Sequence, residues 1–275
     1  MSVINTNISA IRAANASNTA GKMLGTAMER LSTGKRINSA KDDAAGLAIA
    51  TSMTSQVRGM NQGIRNANDG ISLAQTAEGA ISEVTNMLQR VRELATQSAS
   101  GTYADATDRA YMQTEVDELT AQIGQVITNT KFNGVAMFNG STASVTVQTG
   151  ANAADTVNLV MANLTTLAAS GGAAGSYNVS TALAANGLLA TLDTELNSIS
   201  SARSALGAGQ SRLESVVNNL TSNVTNLSDA RSRIEDADYS SETTAMAKAQ
   251  ILSQASTAMI SQANQSQQNV LSLLR

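Results

Sequence analysis

The chain contains no cysteine and no histidine, and these absences exclude most of the common catalytic and metal-binding arrangements. Disulfide bonds, the usual zinc sites, and Ser-His-Asp or Cys-His catalysis all depend on one of these two residues. We therefore expect no catalytic residues, no metal site and no cofactor, and we predict that the protein is not an enzyme.

Proline and tryptophan are also absent, and aromatic residues make up only 2% of the 275 residues. Because proline breaks helix interiors, its absence is compatible with long uninterrupted helices. Large rings usually dominate the burial in a compact core, and this chain has few of them but 46 alanines. It has to bury many small side chains along an extended contact instead.

Neither an excess of positive charge nor a long apolar run is found. The net charge is −3, with 18 basic and 21 acidic residues, so bulk charge does not favour a nucleic-acid partner. No stretch approaches the roughly 18 apolar residues that indicate a membrane-spanning helix. The first residues also lack the charged and then apolar arrangement of a cleaved signal peptide. We expect no nucleic-acid partner, no membrane span and no cleaved leader.

Apolar residues recur every three or four positions along three long segments. The first segment extends from Val57 to Ala95, the second from Met112 to Val126 and the third from Leu192 to Leu227. A seven-residue repeat of this kind is typical of helices that pack nearly parallel to one another. It predicts a mainly α fold, in which a long rod-like helical bundle has coiled-coil-type packing.

The middle of the chain has a different pattern. The stretches SVTVQT (144–149) and DTVNLVM (155–161) alternate and are rich in β-branched residues, which predicts a short β-hairpin. The stretch KFNGVAMFNG (131–140) contains two Asn-Gly steps, which favour tight turns. The stretch AASGGAAGS (168–176) is expected to be flexible and exposed.

Large apolar residues also lie near both ends of the sequence, where soluble chains are usually polar. Burying those between Glu242 and Arg275 would contribute about 20 kcal/mol at most. Ordering the backbone costs about 1–2 kcal/mol per residue, so we predict that both tails order only when neighbours cover them. The apolar face of the last segment comprises Ala245, Ala249, Leu252, Met259, Ala263 and Val270, and Ser256 and Ser266 interrupt it.

Both ends resemble a known family. The opening INTNISAIRAANASNTAGKMLGTAMERLSTGKRINSAKDDAAGLAIA (4–50) and the ending RSRIEDADYSSETTAMAKAQILSQASTAMISQANQSQQNVLSLLR (231–275) are similar to the terminal regions of bacterial flagellin. The resemblance implies paired terminal helices that form an inner tube and a helical bundle that forms the surrounding shell. The segments it implies are 1–40 (N-terminal helix and connector), 41–140 (N-terminal part of the bundle), 141–185 (short variable insert), 186–234 (C-terminal bundle helix) and 235–275 (connector and C-terminal helix).

The resemblance also implies a function and a set of partners. Flagellins leave the cell through the flagellar type III export apparatus without a cleaved signal, and polymerise beneath a cap protein into the extracellular filament used for swimming. The implied partners are further copies of the chain, the cap protein, hook–filament junction proteins, and an export chaperone at the C-terminal helix. The residues expected to drive polymerisation are Ile4, Ile8, Ile11, Leu24, Met28, Leu31, Leu252, Met259, Val270, Leu271 and Leu274.

A smaller motif carries a second implied role. The stretch LQRVRELATQ (88–97) resembles the flagellin segment that the vertebrate toll-like receptor for flagellin recognises. Gln89, Arg90 and Leu94 match this motif, and Glu115 on the next predicted helix matches a further contact. The alternative is that Arg90 belongs to the solvated face of a bundle helix and Leu94 to its packing.

Several short motifs have simpler interpretations. STGKR (32–36) lacks the first glycine and the final hydroxyl residue of a phosphate-binding loop. Asp42 and Asp43 are expected to cap the start of a helix. The acidic stretch IEDAD (234–238) is interpreted as a hinge between the bundle and the tail rather than a cation site. Gln267 stands where related chains commonly have proline, which leaves the bend of the last helix open.

Two other functions remain as alternatives. A signalling coiled coil of the chemoreceptor type shares the high alanine, glutamine and serine content, but would need helices that fold back without a β insert. An enzyme with a carboxylate site inside an α bundle would need acidic residues facing inward, whereas most acidic residues here flank the apolar stripes.

Overall fold

The computed structural model describes residues 6–140 and 142–272, with side chains described as far as residue 266. Five α-helices dominate it, and the predicted mainly α class is confirmed. The helices are α1 (Ile8–Thr33), α2 (Ala44–Ser98), α3 (Asp108–Asn129), α4 (Ala182–Glu235) and α5 (Tyr239–Ser272). The strands are β1 (Lys131–Phe132), β2 (Val135–Ala136), β3 (Ser144–Gln148) and β4 (Thr156–Val160), and a short 3₁₀ helix covers Ala168–Gly171.

The chain divides into two compact units. The first, called the terminal unit below, comprises the residues up to Ser55 together with those from Thr225 onward. The second, the central unit, comprises Gln56–Val224. The terminal unit contains α1 and α5, and the central unit contains α3, all four strands and the longer parts of α2 and α4.

The two aspartates before α2 cap different structures. Asp43 accepts a hydrogen bond from the backbone N–H of Gly46 (2.8 Å), which confirms the predicted helix cap. Asp42 instead accepts from the backbone N–H groups of Ser39 (2.9 Å) and Asn38 (3.2 Å), in the turn before the helix. The Ser39 N–H, the Ser39 hydroxyl and the Asn38 N–H together lower the pKa of the Asp42 carboxyl.

The core of the central unit follows the predicted stripes. Ile81, Leu88 and Val91 of α2 are fully buried, as are Val116 and Ile123 of α3. The stripe of α4 is buried as far as Leu213 and half-buried beyond it. The few aromatic residues are used here, since Phe138 and Tyr177 are among the largest fully buried side chains.

The predicted hairpin is confirmed as the antiparallel pair β3–β4. Its register places Val147 opposite Val157 and Ser144 opposite Val160. The hairpin packs against helix glycines, because a β-carbon at Gly63 of α2 would lie 2.2 Å from the carbonyl oxygen of Thr149. Gly63 therefore allows the hairpin backbone to approach the middle of a long helix, where a larger residue would clash.

One Asn-Gly step forms a turn whose flanking strands the sequence did not predict. Asn133 (φ 48°) and Gly134 (φ 82°) both have positive φ, which is the requirement of a type I′ hairpin turn. The turn joins β1 to β2, with Lys131 opposite Ala136. A two-residue strand is too short to show alternation, so only its turn was legible in the sequence.

The stretch 168–176 contains local structure that the sequence did not predict, and its flexibility stays a prediction. It begins as a 3₁₀ helix that packs against α3, and Ala169 is fully buried. Asp117 of α3 accepts a hydrogen bond from the backbone N–H of Gly175 (2.8 Å). The small residues permit close contact here, since a β-carbon at Gly124 would lie 2.6 Å from the backbone of Gly172.

A buried polar pair fixes the next part of this segment. The Tyr177 hydroxyl donates to Glu195 Oε2 (2.5 Å), and the Ala168 N–H donates to Glu195 Oε1 (2.8 Å). Burial and this hydrogen bond raise the pKa of the Tyr177 phenol well above its usual value. Because each buried oxygen has a partner, the pair holds this loop against α4.

Candidate functional site

The terminal helices pair through small residues. Ala20 and Ala27 of α1 are buried, as are Ala249, Ser256 and Ala263 of α5. Both sets are spaced by seven residues, which keeps small side chains along one line of contact. The helices run antiparallel, because Asn7 Nδ2 donates to the carbonyl oxygen of Ala263 (3.0 Å) near one end and Arg30 Nη1 contacts Glu242 Oε1 (2.8 Å) near the other.

The observed contact line corrects the predicted face of the last segment. Ser256 was expected to interrupt an apolar face that included Leu252 and Met259. The structure buries Ser256 to 8% exposure and leaves Leu252 at 42% and Met259 at 61%. Alanine and serine can lie where two helix backbones come close, whereas leucine and methionine need more depth than this contact provides.

Several large apolar residues of the pair remain exposed. Of the residues predicted to drive polymerisation, Ile8, Ile11, Met28, Leu252 and Met259 are exposed, and Leu24 and Leu31 are half-buried. Met23 and Ile251 add to the exposed set, although the sequence prediction omitted them. A soluble surface rarely gathers so many large apolar side chains unless a partner covers them. We call these seven exposed residues the apolar surface of the terminal unit.

Four residues of the polymerisation prediction fall where the structure gives no side chain. Ile4 and Leu274 lie outside the described residues. Val270 and Leu271 belong to α5, but their side chains lie outside the described ones, as does that of Gln267. The backbone of α5 is helical through position 267.

The connectors that follow α1 and α4 pair with each other. The N–H of Arg36 donates to the carbonyl oxygen of Glu235 (2.7 Å), and the N–H of Ala237 donates to that of Gly34 (3.0 Å). Lys35 forms an ion pair with Glu235, so one acidic side chain of the IEDAD stretch has a basic partner. In the part of the chain that the structure describes, no group of three or more acidic side chains is arranged to hold a metal ion.

The residues of the predicted receptor motif lie in the central unit, and two of them form an ion pair. Arg90 Nε of α2 lies 2.8 Å from Glu115 Oε1 of α3, and Arg90 Nη1 lies 3.0 Å from Glu93 Oε2. The hydrogen bond to Glu115, followed by that to Glu93, raises the pKa of Arg90. Gln89 is exposed beside this pair.

Leu94 is placed differently from the other three motif residues. It is only 3% exposed and belongs to the hydrophobic core of the central unit. Its position continues the stripe of Leu88 and Val91, so the helical repeat turns it inward. Gln89, Arg90 and Glu115 thus form the accessible part of the motif, and Leu94 packs beneath it.

Sequence reasoning missed a buried arginine beside this region. Arg109 is 3% exposed, and its guanidinium donates to the carbonyl oxygens of Ser98 (2.8 Å) and Ser100 (2.7 Å). It also contacts the carbonyl of Tyr103 and the carboxylate of Asp105, so it holds the α2–α3 connector in place. The available signal was its spacing, because Arg109 precedes Met112 and Val116 in the stripe of α3.

The structure and the family models agree on the class of protein. None of the helices described for residues 6–140 and 142–272 combines the length and apolarity that spanning a membrane requires. The model described as the bacterial flagellin N-terminal helical region matches residues 4–143. The model described as the bacterial flagellin C-terminal helical region matches residues 189–274. Together they cover well over half of the chain.

Individual relatives extend the similarity along the whole chain. A flagellin of Xenorhabdus nematophila is 43% identical over 315 aligned residues, covering 100% of this chain and 99% of its own length. The flagellar filament 33 kDa core protein of Treponema phagedenis is 41% identical, covering 99% and 100%. A flagellin of Bacillus subtilis is also 41% identical, covering 99% of both.

Solved structures show the same fold. The Bacillus cereus flagellin crystal structure matches with a TM-score of 0.51 at 29% identity, covering 61% of this chain and 94% of that one. A putative flagellar hook-associated protein of Vibrio parahaemolyticus matches with a TM-score of 0.62, covering 71% and 100%, and at 15% identity it supports the fold alone. The paired terminal helices, the helical central unit and these similarities lead to one conclusion: the chain belongs to the bacterial flagellin family.

Proposed function

We propose that the chain is the structural subunit of the extracellular flagellar filament and serves swimming motility. The carrying observation is the apolar surface of the terminal unit, whose seven large side chains stay exposed in the single chain. Each large apolar side chain contributes roughly 1.5–3 kcal/mol when it becomes fully buried. A helical polymer forms when two different surfaces of the subunit meet head to tail without closing a ring. Further copies of the chain are therefore the partner that this surface fits.

Several finer elements of this proposal come from the family. They include the five segments 1–40, 41–140, 141–185, 186–234 and 235–275, and the polymerisation residues, including those without a described side chain. They also include export without a cleaved leader and the partners: a cap protein, hook–filament junction proteins and a chaperone at the C-terminal helix. A structural subunit needs no catalytic residues, so the proposed role is not that of an enzyme.

Seeded sedimentation tests the filament proposal. Pure monomer is mixed with short filament seeds, centrifuged at high speed, and the pellet is examined by electron microscopy. We expect pelleted helical filaments, and we expect the pellet to disappear when residues 1–30 and 245–275 are both removed. Steady pelleting of the doubly trimmed chain would contradict the role of the terminal helices. Failure of the full chain to extend any seed would contradict the filament role itself.

Recognition by the vertebrate toll-like receptor for flagellin is a second proposal, favoured by the exposed Arg90–Glu115 pair beside Gln89. Charge reversal in Arg90→Glu places a third carboxylate beside those of Glu93 and Glu115. It also removes the guanidinium that would donate hydrogen bonds to a receptor. We expect about tenfold or greater loss of signalling by receptor-bearing cells exposed to monomer, since an interfacial hot spot is worth about 2 kcal/mol.

The matched control is Arg203→Glu. Arg203 lies on α4 of the same unit and also faces a carboxylate, with Nη2 3.6 Å from Glu78 Oε1. We expect this variant to signal as the unaltered chain does, with both variants keeping their helix content by circular dichroism. Equal signalling by all three proteins would contradict the assignment of Arg90.

A further inference from the structure

The methionines differ widely in their solvent exposure. The chain has 11 methionines, and Met1 lies outside the described residues. Met23 (43%), Met28 (56%) and Met259 (61%) are exposed. Met112, Met137 and Met161 are buried, and Met53, Met60, Met87 and Met246 are half-buried.

All three exposed methionines belong to the terminal unit, on α1 and α5, and form part of its apolar surface. In the central unit, every methionine is buried or half-buried. The most oxidisable side chains of the described chain therefore coincide with the surface proposed for subunit contact. Every methionine has the same thioether group, so differences in solvent exposure decide which methionines are oxidised fastest.

We propose that Met23, Met28 and Met259 form a reversible oxidation site that controls assembly of the unassembled subunit. This inference rests on the proposed filament function. The oxidant is a hydroperoxide. A lone pair on the thioether sulfur attacks the terminal peroxide oxygen, the S–O bond forms as the O–O bond breaks, and the proton on the transferred oxygen passes to the departing oxygen. With hydrogen peroxide the products are methionine sulfoxide and water, and two electrons pass from sulfur to the peroxide.

Oxidation changes what these side chains contribute to a contact between copies. A methionine side chain is flexible and apolar and adapts to irregular packing. Its sulfoxide carries a strongly polar oxygen, which loses its hydration when a neighbouring copy covers it and gains no hydrogen bond from an apolar neighbour. The buried residues of the α1–α5 contact are alanines and a serine, which peroxide leaves unchanged, so we expect the helix pair to persist after oxidation.

Assembly in turn removes the site from oxidant. A neighbour that covers the apolar surface also excludes hydroperoxide from the three sulfurs. Oxidant exposure before assembly and after assembly should therefore have opposite consequences. The free subunit is inactivated, whereas an existing filament is protected.

The test treats full-length monomer with dilute hydrogen peroxide, maps sulfoxide by peptide mass spectrometry, and measures seeded sedimentation before and after treatment. We expect Met23, Met28 and Met259 to oxidise at least about tenfold faster than Met112, Met137 and Met161. We expect the critical concentration of the oxidised monomer to rise about tenfold or more, with unchanged helix content. Methionine sulfoxide reductases for both epimers, supplied with a dithiol reductant, should restore assembly.

The matched variant replaces the three exposed methionines by leucine: Met23→Leu, Met28→Leu and Met259→Leu. Leucine has nearly the volume of methionine but no oxidisable sulfur, so the critical concentration of the untreated variant serves as the reference for its peroxide-treated form. We expect peroxide treatment to leave that value within about twofold of the reference. If untreated monomer assembles and the oxidised monomer assembles equally well, or if the leucine variant is inactivated to the same extent, the inference is overturned. If untreated monomer never assembles, the filament function fails instead, and the oxidation site fails with it.

Discussion

Replacing Leu252 and Ile11 by aspartate is expected to prevent filament growth while leaving the isolated chain folded. Both side chains are exposed in the single chain, at 42% for Leu252 and 52% for Ile11, so neither change removes a contact on which the fold depends. Exposed substitutions away from caps and cores usually alter the free energy of unfolding by about 0.5 kcal/mol or less. The monomer should keep its helix content and its unfolding transition.

The assembled state should respond very differently. Each substitution removes about 0.7–1.5 kcal/mol of burial from the proposed contact between copies, because each side chain is already about half covered in the single chain. It also forces a carboxylate against apolar neighbours, which adds a desolvation cost. Since about 1.4 kcal/mol corresponds to a tenfold change in an equilibrium constant, the double variant should raise the critical concentration by about a hundredfold or more. Sedimentation after seeding, over a range of protein concentrations, measures this directly.

Leu183→Asp provides the matched control for this prediction. Leu183 is 86% exposed, but it lies in α4 within the central unit, outside the proposed apolar surface. The control introduces one carboxylate at a leucine that is more exposed than Leu252, and should leave the critical concentration within about threefold of the unaltered value. Normal assembly of the Ile11→Asp, Leu252→Asp variant would remove the main physical support for the filament proposal.

Replacing Gly63 by alanine is expected to produce the largest loss of monomer stability. A β-carbon at this position would lie 2.2 Å from the carbonyl oxygen of Thr149 and 2.5 Å from its carbonyl carbon. Backbone atoms have no alternative rotamer, so the β3–β4 hairpin would have to move away from α2. Such overpacking costs about 1–3 kcal/mol and occasionally more.

The hairpin's other contacts would be strained by the same displacement. Asn66, one turn along α2, donates from Nδ2 to the carbonyl oxygen of Gln148 (2.9 Å). Val147, Val157 and Leu159 contribute to the core beneath the hairpin. We therefore expect the free energy of unfolding of Gly63→Ala to fall by about 2–4 kcal/mol in urea titrations followed by circular dichroism.

Gly79→Ala is the control on the same helix. An added β-carbon at Gly79 meets no atom within 4 Å, so only the backbone entropy of the chain changes. Alanine is favoured over glycine inside a helix by about 0.5–1 kcal/mol, and this variant should be slightly stabilised. A loss of stability equal to that of Gly63→Ala would show that glycine to alanine changes are harmful anywhere in α2, and the close contact with Thr149 would then explain nothing.

The structure and the comparisons answer one alternative considered from the sequence, the signalling coiled coil. A signalling coiled coil was expected to lack a β insert, whereas β3 and β4 pair over five residues each. The family models and full-length relatives identify a flagellin instead. The prediction that the tails order only beside neighbours stays a prediction for the free monomer. Ala20 and Ala27 pack against α5, and Ala249 and Ala263 pack against α1, within one chain. The burial estimate for residues 242–275 counted only large apolar side chains, so it did not include this packing.

The sequence by itself determined the features that depend on neighbouring residues along the chain. The seven-residue repeats located α2, α3 and α4, and alternation located β3 and β4. Asp43 marked a helix start and Asn133-Gly134 marked a turn. Each of these signals is carried within a few residues, by periodicity, side-chain capping or the φ preference of a turn, so no distant contact was needed to recognise it.

Only the tertiary structure decided which neighbour each face meets. It paired α1 with α5 through alanine and serine, which left Leu252 and Met259 exposed. It also used Gly63 and Ala169 as close contacts, where the sequence predicted nothing or a flexible loop. A repeat specifies a face of a helix but not the depth of the contact that the face enters. That depth is set by backbones brought together from distant parts of the chain, and there a small side chain packs where a large one cannot.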